Sequence, residues 1–181
     1  MKGVTGVASL VRGSGNMSES EAREWLKTTL GLRNEDVVIA TLAACEDGQV
    51  FGLTELALDS ITNEIFGKIM LDPRSGAGIE YHEAFHFVNL LLHSKAERDL
   101  IYKEYARKHK EYENATKKEI EEALAEDFRK YMLREKTFYG RMNRRFETLL
   151  DFIISSRRKS LMRHVYRTIK MGGYKNTQMD K

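Results

Sequence analysis

The chain has very few of the residues that cross-link a fold or interrupt its helices, namely cysteine and proline. It has one cysteine, Cys45, so an intrachain disulfide is excluded, and this scarcity is typical of a reducing compartment. We interpret Cys45 as a small buried side chain rather than a nucleophile. The single proline, Pro73, fits a mostly helical protein. No apolar run approaches the roughly 20 residues that a transmembrane helix needs, so we expect no membrane span.

Net charge is also low. The 181 residues include 30 basic and 27 acidic side chains, and the hydrophobic content of 41% is enough for the core of one globular domain. The basic character is local, because ten Lys/Arg and only two acids lie between Arg141 and Lys175, with apolar residues interleaved. Such a region can bind nucleic acid, an anionic membrane surface or an acidic partner. It also fits a helix that packs on the domain and exposes a basic face to water.

These patterns predict three segments. Residues 1–17 contain four glycines around a short apolar stretch, which indicates a flexible N-terminal arm, with a signal peptide as the weaker alternative. Residues 18–140 are expected to form the main domain. Residues 141–181 are expected to form a basic C-terminal helical extension, packed on that domain or following it.

Hydrophobic periodicity predicts an α+β fold that is mostly helical with a small antiparallel sheet. A first helix is expected over Met17–Leu30, with Gly31 at its end. The β-rich run Val37–Ala43 is expected to pair with Gln49–Leu53 as a hairpin, and Ile65–Leu71 predicts a short strand. Further helices are expected around His82, over Lys95–Glu113 and around Glu122. We interpret the third strand as an edge strand that binds an extended peptide, a role that Lys68→Pro would disrupt.

The most informative stretch for chemistry is His82-Glu83-Ala84-Phe85-His86, an H-E-x-x-H sequence. On a helix, residues four apart lie on one face, so both imidazoles can bind one metal ion. Zinc takes nitrogen ligands and at a hydrolytic site keeps one position for water, whose proton Glu83 can accept. The motif therefore predicts the core of a zinc-dependent peptidase.

The surroundings of the motif are largely apolar, which predicts a mostly buried helix. The apolar positions are Ile79, Ala84, Phe85, Val88, Leu90, Leu91 and Leu92. Unpaired Glu and His side chains in a core cost several kcal/mol, and a metal ion would supply the missing partner. This context weighs against the alternative of a solvated helix that carries two histidines by coincidence.

A catalytic zinc usually has three protein ligands, so a third is needed. Three other histidines are present, and none is a good candidate. His93 lies seven residues after His86, away from the spacing of three-histidine zinc peptidases, whereas His109 and His164 lie in charged and basic stretches. A carboxylate is therefore the better candidate.

A second amphipathic helix offers that carboxylate. Thr116 and Glu119 form a capping-box pattern at its start. We assign Glu122 as the third ligand and Glu126, one turn later, as the carboxylate that accepts a hydrogen bond from a ligand histidine. Glu122–Ala125 resembles the E-x-x-A segment that carries the third ligand in several Glu-zincin families, and its alanines would let two helices approach closely. The reverse assignment of the two glutamates stays open, as does an acidic surface helix.

Tyr81–His86, followed by Ala125–Tyr131, is similar to the metallopeptidase-like domains of large bacteriophage and mobile-element proteins. In those domains a YHEAFH helix precedes an E-x-x-A-E-x-F-R-x-Y helix. Weaker similarity at Ala22–Leu26 and Ile169–Tyr174 extends the resemblance to roughly residues 18–175. The long extra domains that often accompany this group are absent from the chain, which argues against a multifunctional role.

The resemblance implies a zincin-like α+β domain over residues 18–140, with an active-site helix. It further implies His82 and His86 as ligands of Zn²⁺, Glu83 as the general base and Glu122 as the third ligand. The expected substrate is a protein or peptide, and the expected setting is a phage or prophage, in the host cytoplasm or the virion.

Peptide hydrolysis also needs a donor that stabilises the oxyanion. Tyr81, Tyr131 and Arg129 lie close in sequence to the predicted site, and the sequence does not choose among them. Two other functional classes stay open. One is a non-catalytic, zinc-stabilised binding or structural module, and the other is a protein that binds nucleic acid through the basic region Arg141–Lys175.

Overall fold

β-branched and apolar runs form strands up to residue 71, and the described residues from 79 onward are mainly helical. A computed structural model describes residues 5–9, 17–42, 44–45, 48–58, 65–136 and 160–175. The strands are β1 (Thr5–Ser9), β2 (Val37–Ile39), β3 (Ala44–Cys45), β4 (Gly48–Gln49), β5 (Gly52–Leu58) and β6 (Ile65–Leu71). The helices are α1 (Glu19–Leu30), α2 (Ile79–Leu91), α3 (Lys95–Lys108), α4 (Lys117–Lys136) and α5 (Leu161–Lys170). The predicted mixture of helices with a small sheet is confirmed.

The main sheet has four strands in the order β1-β5-β6-β2 and is mixed. Strand β5 pairs antiparallel with both β1 and β6, whereas β2 pairs parallel with β6. The expectation of a purely antiparallel sheet is therefore wrong for one pair. Parallel neighbours need a crossover connection between them, and that long-range choice leaves no mark in the local sequence pattern.

The strand Ile65–Leu71 forms as predicted, but it is not an edge strand. β6 lies between β5 and β2, and among the described strands the edges of the sheet are β1 and β2. Ile69 and Leu71 are fully buried, which suits an interior strand with a nearly continuous apolar sequence. Lys68 is paired with Glu55 of β5, so a proline at position 68 would disturb the sheet itself.

The predicted hairpin does not form over Val37–Ala43 and Gln49–Leu53; antiparallel pairing around the predicted turn is limited to Ala44–Cys45 with Gly48–Gln49. β2 pairs with β6 instead, and β5 pairs with β1 and β6. A separate two-residue ribbon joins β3 to β4, with Cys45 opposite Gly48. The turn residues between them, 46 and 47, lie outside the described residues.

Helix boundaries follow the predicted signals. Helix α1 ends at Gly31, whose φ of 74° is in the left-handed region that glycine adopts without strain. Helix α4 begins with the predicted capping box, in which the amide of Glu119 donates to Thr116 Oγ1 and the amide of Thr116 donates to Glu119 Oε2. The charged helix α3 ends at Lys108, earlier than predicted, and a 3-10 turn over Lys110–Tyr112 follows it.

Helix α2 is the centre of the molecule. It packs on β5 and β6 on one side and on α4, α1 and α5 around the rest of its surface. Every residue from Ile79 to Asn89 is buried, so this part of the helix has no solvent-exposed face even though several of its side chains are polar. It begins after Gly78, which has a φ of 85° and turns the chain sharply out of the loop after β6.

The two terminal segments are described only in part. Thr5–Ser9, within the segment interpreted as an N-terminal arm, pairs with β5 as strand β1. In the basic region, residues 141–159 lie outside the described residues, and α5 follows. Val165 and Ile169 of α5 are buried against the core, whereas Arg163 and Arg167 are exposed. Within the described ranges, no helix has both the length and the apolar character needed to cross a membrane.

Candidate metal centre

Three of the predicted ligand side chains meet at the contact between α2 and α4. His82 and His86 lie one turn apart on α2, and their Nε2 atoms are 3.1 Å from each other. Glu122 of α4 approaches both, with Oε2 at 3.3 Å from His82 Nε2 and Oε1 at 3.5 Å from His86 Nε2. The three residues form a cluster that could hold a metal ion.

The donor spacing suits a small divalent cation. Ligand atoms about 2.0–2.1 Å from a tetrahedral metal stand about 3.3 Å apart, close to the distances between these three donors. Two buried imidazoles with facing nitrogens are unfavourable by themselves, because desolvated polar groups need partners. A cation between the imidazoles would satisfy both nitrogens, and the carboxylate would offset its charge.

The cluster is buried from one side and accessible from the other. The side chains of His82 and His86 are 1% and 0% exposed, whereas that of Glu122 is 31% exposed. Glu122 lines an open cleft of about 820 Å³ along α4, together with Tyr105, Tyr112, Glu126 and Lys130. A bound cation would thus have protein on the α2 side, and Glu122 connects the cluster to solvent.

The side chain of Glu83 packs against strand β5. Its side chain is fully buried, and Thr54 Oγ1 donates a hydrogen bond to Oε2 at 2.7 Å. Among the described residues, Oε1 has no hydrogen-bond partner. Burial raises the pKa of Glu83 above its ordinary value, although the neighbouring histidines oppose this shift. Sequence reasoning identified Glu83 but neither Thr54 nor Gly52, which contact it.

Glu121 is a site residue that sequence reasoning missed. Its Oε1 lies 3.1 Å from His86 Nδ1, and its Oε2 accepts a hydrogen bond from the Tyr102 hydroxyl at 3.0 Å. The Tyr102 oxygen in turn accepts from Asn89 Nδ2 at 2.7 Å. The available signal was the adjacent pair Glu121-Glu122, both of which contact the histidines of α2.

Glu126, the carboxylate predicted to bind a ligand histidine, lies beside His82. Its Oε2 is 3.8 Å from His82 Nδ1, beyond hydrogen-bond distance, and Nδ1 has no hydrogen-bond partner among the described residues. Arg129 Nη1 holds both oxygens of Glu126 at 3.1 Å. The carboxylate that does contact a ligand histidine at hydrogen-bond distance is therefore Glu121.

The electrostatics of the cluster favour charged pairs when no cation is present. Burial lowers the pKa of His86, but the carboxylates of Glu121 and Glu122 raise it by more, to about 10. The pKa of His82 is raised in the same way, against its burial, by Glu122 and Glu126. Burial raises the pKa of Glu122, but its contacts with His82 and His86 lower it by more, to about 2. A cation would therefore displace protons from the imidazoles.

The three residues considered as oxyanion donors have other contacts. Tyr81 is buried edge-on against Trp25, with ring centroids 4.7 Å apart. Tyr131 packs beside Phe128. Arg129 donates to the carbonyl oxygen of Ala77 and to Glu126. These contacts do not single out an oxyanion donor.

The other histidines have surroundings of their own. His93 is buried, with Nε2 at 2.8 Å from the Tyr174 hydroxyl. The ring of His109 stacks on Tyr105 with centroids 4.2 Å apart, and His164 is exposed on α5. None of the three belongs to the cluster of His82, His86 and Glu122.

Comparison with protein-family models, with curated protein sequences and with solved structures gives no match to this chain.

Proposed function

We propose that this protein is a zinc-dependent peptidase that acts on a protein or peptide substrate. The observation that carries the proposal is the convergence of His82 Nε2, His86 Nε2 and Glu122, on a helix that also carries the buried glutamate Glu83. Following the resemblance of its motifs, we further propose a zincin-like domain of phage or prophage origin, working in the host cytoplasm or the virion.

The donor set supports zinc as the cation. Two imidazole nitrogens and one carboxylate oxygen form the ligand set of many catalytic zinc sites, whereas calcium and magnesium favour oxygen ligands alone. Structural zinc sites usually have four protein ligands. The described residues contribute three to this cluster, and one of them, Glu122, is partly exposed to the cleft.

In this proposal, separate residues bind the metal, orient a ligand and act as the general base. Bound zinc would supply a Lewis acid that polarises the scissile carbonyl and makes a water molecule more acidic. His82, His86 and Glu122 would hold the cation, and Glu121 contacts the ring of His86 at Nδ1. Glu83 would serve as the general base, accepting a proton from water on a carboxylate oxygen and returning it to the leaving amine.

The decisive experiment is the Glu83→Gln substitution. Glutamine keeps the size of the side chain but cannot act as a base, so we expect zinc to remain bound while hydrolysis falls by about 10²–10⁴-fold. Elemental analysis gives the zinc content, and a peptide library or a denatured protein serves as the substrate. Glu24→Gln, the same change at an exposed position on α1, is the matched control and should leave both readouts unchanged.

Two outcomes would contradict this proposal. Unchanged hydrolysis in Glu83→Gln would remove Glu83 from the mechanism. One zinc per chain without any hydrolysis by the wild type would instead favour the non-catalytic, zinc-stabilised module.

A further inference from the structure

We infer that Gly52 and Thr54 of strand β5 are positioning residues that fix the carboxylate of Glu83. The inference rests on the proposed function and identifies two residues outside the H-E-x-x-H helix on which the base depends. They are two apart on one strand, so they face the same side of the sheet, towards α2. Both are fully or nearly fully buried.

Gly52 provides the space for the carboxylate. A Cβ atom at this position would lie 2.8 Å from both Cγ and Cδ of Glu83, and closer still to Oε1. Real Cβ atoms do not approach other atoms so closely, so any larger residue at position 52 would force Glu83 to move. The glycine is therefore required by the side chain packed over it rather than by its own backbone conformation.

Thr54 provides the direction. Its side chain is fully buried, and its hydroxyl donates to Glu83 Oε2 at 2.7 Å. The same hydroxyl lies 3.1 Å from the main-chain oxygen of Glu83, which ties the strand to the helix as well as to the carboxylate. With Oε2 engaged, Oε1 lies over Gly52 and has no hydrogen-bond partner in the described part of the chain.

The strand that carries Gly52 and Thr54 is held in place by neighbouring strands on both sides. β5 is an interior strand, and Gly52 and Thr54 are paired with Leu71 and Ile69 of β6. Both partners are fully buried. A base held by such a strand keeps its geometry, and misplacing a reacting group by about 1 Å can cost about 10²-fold in rate.

The test of Thr54 uses two substitutions. Thr54→Val keeps the shape and removes the hydroxyl, and Thr54→Ser restores the hydroxyl without the methyl group. We expect Thr54→Val to lower kcat by about 10–100-fold with KM little changed, and Thr54→Ser to recover most of kcat. Wild-type kcat in Thr54→Val, or equal loss in both variants, would overturn the inference, because the effect would then not come from the hydroxyl.

Gly52→Ala tests the space, with Gly67→Ala as its matched control. Gly67 lies on β6, where a Cβ atom would lie 2.6 Å from Phe87 Cε2 and 2.7 Å from Leu91 Cδ1. Both substitutions crowd the contact between the sheet and α2, but only Gly52→Ala displaces Glu83. We expect Gly52→Ala to lose more than 10-fold in kcat beyond the loss in Gly67→Ala, at equal zinc content. Equal kcat in the two variants would overturn the role of Gly52.

A binding readout separates failure of this inference from failure of the proposed function. Acetohydroxamate chelates zinc and donates its hydroxyl proton to a neighbouring carboxylate, so its affinity for the zinc-loaded protein reports the position of Glu83 without any peptide hydrolysis. In isothermal titration we expect about tenfold weaker binding by Thr54→Val than by wild type or Thr54→Ser. Equal affinities would overturn the inference even if the wild type hydrolyses peptides. A tenfold difference would support it even if no peptide substrate is cut.

Discussion

At the scale of single residues, the orientation of His86 depends on Glu121. The contact between His86 Nδ1 and Glu121 Oε1 places the proton of a neutral imidazole on Nδ1, which leaves the lone pair of Nε2 free to face a cation. The Tyr102 hydroxyl donates a hydrogen bond to Glu121, and Asn89 in turn donates to the Tyr102 oxygen. This chain of hydrogen bonds makes the ring position a property of three helices rather than of α2 alone.

Glu121→Gln should therefore weaken zinc binding. The amide keeps the size of the side chain but loses the charge-assisted hydrogen bond, and removal of such supporting carboxylates typically costs 10–100-fold in metal affinity. Competition with a chromophoric chelator measures the affinity. Asp127→Asn is the control. Asp127 lies on α4, like Glu121, but it accepts a hydrogen bond from the Tyr105 hydroxyl of α3 and is outside the cluster. Equal affinity of Glu121→Gln and wild type would show that His86 does not need this contact.

The same histidine predicts how the stability of the metal-free protein depends on pH. The pKa of His86 is raised from 6.5 to about 10, so its contribution is complete below pH 6.5 and is lost as pH rises towards 10. The pKa of Glu122 is lowered from 4.5 to about 2, so its contribution is complete above pH 4.5 and is lost as pH falls towards 2. Both contributions are present between about pH 4.5 and 6.5.

Urea unfolding of chelator-treated protein at pH 6 and pH 9 measures this effect. We expect the free energy of unfolding to fall between the two pH values, and to fall by less in His86→Asn, which lacks the titrating group. A fall of the same size in His86→Asn would show that the pH dependence has another source.

At the scale of elements, the site requires α2 and α4 to lie close together. Ala125 is fully buried on α4, four residues after Glu121 and three after Glu122, so it shares the helix face that meets α2. Its small side chain permits the approach that brings Glu122 to within 3.5 Å of both histidines.

Ala125→Leu should separate the two helices. Overpacking of this kind costs about 1–3 kcal/mol in stability, and we expect zinc affinity to fall because Glu122 moves away from the histidines. Ala123→Leu is the matched control, since Ala123 lies on the same helix but lines the open cleft, where a larger side chain has room. If both variants bind zinc as the wild type does, the close helix contact is not what sets the site.

At the scale of the whole molecule, a cation bound by His82, His86 and Glu122 would link helix α2 to helix α4. Ligands that bind the native state stabilise it by mass action, by about 4 kcal/mol at a thousandfold excess over Kd. We expect zinc to raise the Tm of the wild type and of Glu126→Ala by roughly 10 °C, with no rise in Glu122→Ala. Differential scanning fluorimetry with and without zinc measures the shift. A rise lost in Glu126→Ala and kept in Glu122→Ala would reverse the ligand assignment.

Much of this protein can be predicted from its sequence, because the relevant signals are local. The i, i+4 spacing of His82 and His86, the capping box at Thr116 and the glycine at position 31 each act within one or two helical turns. The choice of Glu122 relied instead on the resemblance of Glu122–Ala125 to the E-x-x-A segment of Glu-zincin families. Mixed α and β composition follows from the same short-range periodicities.

The rest was decided by tertiary structure, because it depends on contacts between residues far apart in the chain. The pairing of β2 with β6, the interior position of β6 and the choice of Glu121 as the partner of His86 join segments about 30 or more residues apart. The same holds for the strand pocket around Glu83, where Gly52 and Thr54 appear in sequence as ordinary strand residues. Sequence patterns thus identified the helix that carries the candidate metal ligands His82 and His86, and only long-range packing determined what surrounds it.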